Sequence, residues 1–263
     1  MLRSHHRASV NAFWLFRKGS FCLLLLLLTA ISVTSSGQAQ PTIHVPGDAS
    51  TIQAGIDAAH NGDTVFVAPG TYNENIDFKG KAITVTSGAT DFTAAAATVI
   101  SGNGSGPIVL FHTNETRASI LNGFTIQNGT STAVFLSGSS STVSNNAIVN
   151  NAGCAVVVAG ATANPILRAN RIAGTRDPGT VACNAPGPVY YANSGIGLSV
   201  LGGNDVQIIG NTFEGNSSMN CGGAVAAFNT SSLLLDGNII RNNTAACAPA
   251  FWSAPVFLGQ GKC

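Results

Sequence analysis

Asn122-Gly-Phe124, Asn146-Ala-Ile148, Asn170-Arg-Ile172, Asn211-Thr-Phe213 and Asn238-Ile-Ile240 repeat one unit, an asparagine with an apolar side chain two residues later. From one asparagine to the next the numbering advances by 24, 24, 41 and 27. Three positions before them stand Ser119, Val143, Leu167, Ile208 and Leu235, four of the five apolar. A short strand on each side of a polar bend accounts for this pattern, and a period of about 24 residues marks stacked units that bury a core only against one another. Asparagine suits the bend because it tolerates left-handed backbone and because its amide can hydrogen-bond to the amide of the next unit. The expectation is one column holding all five asparagines.

The apolar stretches between the bends, such as Ile83-Thr-Val85, Ala133-Val-Phe-Leu136 and Ala155-Val-Val-Val158, are short, β-branched and bounded by Gly, Ser and Asn. Helical repeats would space apolar residues by three and four, so strands are expected. Propeller blades need roughly 40 residues or more, which leaves a parallel β-helix over residues 42–245. Ser50-Thr-Ile-Gln53 has the form of a capping box, with Ile52, Ile56 and Ala59 on one helical face before Asn61-Gly62. A short helix over about 51–60 is therefore expected to close the first coil.

The 263-residue chain is 45% hydrophobic and 9% charged. Residues 1–39 carry Arg3, Arg7, Arg17 and Lys18 but no acid, followed by the apolar run Phe21–Val33 and small residues at Gly37 and Ala39. This is the pattern of a cleaved signal peptide, and the run falls short of the roughly 18 residues of a membrane span. Residues 40–263 then form a single domain, secreted or periplasmic, expected to be monomeric and without a membrane span. Removing four basic residues turns 12 basic against 11 acidic into 8 against 11, a net charge of −3. No basic face remains for nucleic acid or an anionic membrane.

Thr51-Ile-Gln-Ala-Gly-Ile-Asp-Ala-Ala59 and Gly62-Asp-Thr-Val-Phe-Val-Ala-Pro-Gly-Thr-Tyr72, together with the asparagine repeats, resemble right-handed parallel β-helix proteins of the pectin-lyase-like superfamily. The resemblance implies an all-β, right-handed parallel β-helix that engages an extracellular polysaccharide, with pectate-lyase-like cleavage as one activity within the superfamily. The Gly-Tyr-Gln-Asp-Thr-Leu segment of pectinesterases, the polygalacturonase motifs and the Arg-x-Pro-x-x-Arg segment of pectate lyases are all missing. The alternative is a non-catalytic surface, adhesion or scaffold β-helix.

The long interval between Asn170 and Asn211 has its excess over the repeat in Thr175–Ser194, a stretch with Asp177-Pro-Gly and Asn184-Ala-Pro-Gly-Pro and no strand pattern. Long loops on rigid scaffolds build binding surfaces, and this one carries Tyr190 and Tyr191 close to Arg176 and Asp177. Rings stack on sugars while polar groups orient hydroxyls. With Arg171 on the coil they form the expected sugar-binding set, Arg suiting an acidic sugar. Cys183 is expected to be disulfide-bonded, with Cys221 or Cys154 on a neighbouring coil within reach, while Cys221 can instead stack on Cys247. Glu214 and Arg241 hold the same place after their asparagines, about 4.8 Å apart along the axis, and are expected to form a surface ion pair. His44, His60 and His112 have no zinc spacing, no calcium cluster or Gly-x-Ser-x-Gly elbow occurs, and neither a cofactor nor a catalytic residue can be assigned.

Overall fold

Strands of two to six residues cannot bury themselves alone, and here each one stacks on its counterpart one circuit earlier. The computed structural model describes residues 40–254 except 105, 177–195, 204, 229, 248 and 249, and describes only the backbone of 220, 221, 247 and 251–254. The expected signal peptide lies outside these residues. From Thr64 onward the chain visits three parallel sheets in turn, A, B and C, with eight, seven and seven strands. Sheet A runs from Thr42–Val45 to Leu233–Asp236, sheet B from Gly70–Asn73 to Ile239–Arg241 and sheet C from Ile76–Asp77 to Phe251–Ala254. This is an all-β arrangement of stacked parallel strands wound as a solenoid.

Side chains of successive strand residues point to opposite faces, so one column from each sheet fills the interior. Val65, Val85, Leu121, Val143, Leu167 and Ile208 form such a column in sheet A. Ile126, Ile148, Ile172 and Phe213 do so in sheet B, and Phe111, Leu136, Val158 and Val200 in sheet C. All are fully buried in one continuous core.

The bends between sheets A and B are held by an asparagine ladder. Asn146 accepts from the Phe124 N–H at 2.9 Å and donates its own N–H and amide to Asn170 Oδ1 at 3.0 and 3.1 Å. Asn170 donates in the same way to Asn211, and Asn211 to Asn238. Asn122 is not in this column. It lies level with Ser144, two residues early, and the place below Asn146 belongs to Phe124. Phe124 and Asn146 are 22 residues apart, as are the paired Leu121 and Val143, so the regular interval between asparagines pointed to the wrong member. Nor do the ladder asparagines adopt the left-handed conformation themselves. The residue before each does: Asn145, Ala169, Gly210 and Gly237, at φ of 58°, 53°, 63° and 60°, as does Gly123 before Phe124, at 83°.

A second ladder, not foreseen, follows five residues later at the end of each sheet B strand. Asn151 accepts from the Gly129 N–H, Thr175 donates its N–H to Asn216 Oδ1, and Asn216 donates to Asn243 Oδ1. Thr175 interrupts the series, and its buried hydroxyl has no hydrogen-bond partner.

The helix α1 spans Ile52–Ala58 and buries Ile52 and Ile56 on the first coil. Its N-cap is Thr51, whose hydroxyl accepts from the Ala54 N–H, rather than Ser50. Gln53 does not fold back as a capping box requires. The Glu74 carboxylate takes the Ile52 and Gln53 N–H groups instead, each at 2.9 Å, and Gln53 accepts from the Asp77 N–H. Side chains of the next coil thus complete the cap.

The longest interval between described strands falls between Arg171–Ala173 of sheet B and Leu198–Leu201 of sheet C. Arg176 bridges Ala152 on one side and Ser217 on the other, while Ala155 donates its N–H to Ile196 O. Residues 177–195, between these two contacts, lie outside the described residues.

Candidate functional site

On the outer face of sheet B the alternation that buries Ile172 and Phe213 turns Arg171, Glu214 and Arg241 outward on three successive coils. Arg171 Nε donates to Glu214 Oε1 at 2.6 Å, and Arg241 donates to Glu214 Oε2 through Nε at 2.7 Å and Nη2 at 2.6 Å. The expected Glu214–Arg241 pair is thus one half of a triad. The hydrogen bonds from Arg241 and then Arg171 hold the Glu214 carboxyl below its usual range. Glu214 is therefore ionised at neutral pH and is no proton donor. Two guanidiniums on one carboxylate leave a net positive charge with N–H groups to spare.

Beside the triad lies a depression of about 330 Å³, lined by Val149, Asn150, Arg171, Ala173, Gly174 and Glu214, with Gly215 and Asn242 at its rim. Its rim is the second row of bends. Asn150, Gly174, Gly215 and Asn242 all have φ between 54° and 65°. A Cβ on Gly174 would come within 2.7 Å of Asn150 Oδ1, whereas the space over Gly215 is open. The apolar part of the lining, Val149 and Ala173, belongs to a small outer cluster with Ala147, against which Phe92 packs outside the depression. Guanidinium groups, amides and apolar side chains thus meet on one flank.

Comparison with family models, curated proteins and solved structures found no match. The chemistry of the site rests on its own residues. Of the expected sugar-binding set, Arg171 lies in the depression and Arg176 is exposed at the departure of the excursion. Asp177, Tyr190, Tyr191 and Cys183 fall outside the described residues. Cys221 lies on the strand Ser217–Cys221, in register with Cys247. Asn150, Asn242 and Phe92 were missed. The first two could have been found from the recurrence of Asn or Gly four residues after each ladder asparagine, but nothing in the local sequence marks Phe92 as packing against the cluster of Ala147, Val149 and Ala173.

A second concavity of about 410 Å³ lies on the outer face of sheet C, lined by Pro107, Leu110, His112, Ser131, Thr132, Phe135 and Ser137. At its edge His112 Nε2 meets Asp77 Oδ2 at 3.1 Å. Among the described residues, no three or more His, Cys, Asp or Glu side chains converge to hold a metal ion, and no helix is long and apolar enough to cross a membrane.

Proposed function

We propose that this protein is an exported, right-handed parallel β-helix of the pectin-lyase-like kind that binds an acidic extracellular polysaccharide across the outer face of sheet B. The observation that carries this reading is the Arg171–Glu214–Arg241 triad beside the depression. A uronate carboxylate suits the spare guanidinium N–H groups, the amides of Asn150 and Asn242 suit sugar hydroxyls, and the apolar side chains of Val149 and Ala173 suit the C–H face of a ring. The strand repeat extends the same face from coil to coil, which suits a polymer better than a single small molecule. Because both Glu214 oxygens accept from guanidinium N–H groups, which makes the carboxylate a weak base, a binding, non-catalytic role is favoured over lyase chemistry.

Affinity electrophoresis against a uronate polymer and a neutral glucan tests this. Selective retardation by the uronate polymer is expected, reduced at least tenfold by the triple change Arg171→Gln, Glu214→Gln and Arg241→Gln, with little change in melting temperature. Equal retardation by both polymers, undiminished in the triple variant, would remove the reading. Release of unsaturated products, followed by ultraviolet absorbance with and without calcium, would instead establish a lyase.

A further inference from the structure

The two ends of the described solenoid differ. At the first, α1 buries Ile52 and Ile56 against the opening coil. At the other, Leu233–Asp236, Ile239–Arg241 and Phe251–Ala254 are the outermost described strands of sheets A, B and C, each paired on one side only. The large hydrophobics that stay exposed among the described residues are Met219, Leu234, Leu235, Ile239 and Ile240, and the last four, at 45%, 40%, 53% and 37%, lie on these edges. The asparagine ladder stops there too. Asn146, Asn170 and Asn211 each donate a backbone N–H to the asparagine of the following coil, and no described residue takes that of Asn238. Unpaired strand edges beside bare apolar side chains are a template for another chain.

We propose that this end is the contact of a two-fold dimer, occupied by a second copy of the chain, in place of the monomer expected from the sequence. The first end, covered by α1, leaves no large hydrophobic exposed among its described residues, so head-to-tail stacking has no apolar surface to join and the contact is between like ends. The chain climbs about 4.8 Å per coil, so the last strands of sheets A, B and C stand at successive heights. A two-fold axis through sheet B sets the middle strand on its own counterpart and the lowest on the highest, and all three pairs close together. An axis through sheet A or sheet C leaves strands apart by a full extra spacing.

In this arrangement Ile239–Arg241 runs antiparallel to its copy, with Ile240 opposite Ile240 and Ile239 opposite Arg241, which keeps core-facing residues together and outward ones together. Leu233–Asp236 meets Phe251–Ala254 of the second copy. Four apolar side chains and three strand edges from each copy remove on the order of 1,000 Å² from water, the size at which a specific interface begins. The outer face of sheet B then runs unbroken across the axis and carries the Arg171–Glu214–Arg241 ladder twice. The contact itself does not depend on what that face binds.

Sedimentation velocity of the full exported chain over a range of concentrations reports the assembly. A monomer–dimer equilibrium is expected, and a monomer throughout, or open-ended growth, overturns the proposal. Charge reads the register. Ile239→Lys sets a cation against Arg241 of the second copy and should weaken the dimer about tenfold, whereas Ile239→Glu should preserve it. Ile239 points outward and is already half exposed, so neither change should unfold the coil; equal loss in both variants overturns the pairing. A benzophenone amino acid in place of Leu234, in a mixture of isotopically heavy and light chains, is expected to crosslink one copy to residues 251–254 of the other. Crosslinks within one chain, or between copies at sheet A alone, overturn the arrangement.

Discussion

Asn170 shows how much one side chain carries in this fold. It is fully buried, accepts twice from Asn146, and donates to Val143 O at 2.9 Å and to Asn211. Truncation leaves several buried polar groups without partners, each worth about 1–3 kcal/mol. Asn170→Ala should therefore destabilise by about 3 kcal/mol in chemical unfolding. Asn122→Ala should cost distinctly less, because Asn122 is half-buried and stands outside the ladder. Ala169 presents the opposite case. It holds φ of 53° where the other bends use Gly or Asn, and the left-handed conformation costs a Cβ-bearing residue about 1–2 kcal/mol. Ala169→Gly should raise the melting temperature, for a gain of about 1 kcal/mol after the added chain entropy is subtracted.

At the scale of the elements, the outward ladder Arg171–Glu214–Arg241 has a pH signature. The folded-state carboxyl of Glu214 is lowered, so the stability it contributes is present above the ordinary glutamate range and lost as pH falls through the folded value. The stability difference between the native chain and Glu214→Gln, followed by urea unfolding, should be greatest near neutrality and shrink as pH falls below the ordinary glutamate range. A difference that grows on acidification would contradict the assigned cause.

The strands themselves were legible because β-branched runs and polar bends alternate at a near-constant period. What the sequence blurred was register, since the pairing distance is 22 residues at the Asn122–Ser144 level and 41 at the Asn170–Asn211 level. Asn122 was misplaced for that reason. The Glu74 cap on α1 was hidden because its partner lies in another coil, 22 residues from Ile52. Arg171 could be named from the repeat alone, whereas the packing of Phe92 on the outer cluster of Ala147, Val149 and Ala173 depends on a loop whose path no repeat specifies.

Across the whole molecule, each coil touches only its neighbours, and the last described coil is the least covered. Leu235 and Ile240 continue the core columns of sheets A and B yet are 40% and 37% exposed. Under tension that end should peel first. Successive steps let out the chain from Ile208 to Leu235, from Leu167 to Ile208 and from Val143 to Leu167. At about 3.4 Å per residue these are lengths of about 90, 140 and 80 Å.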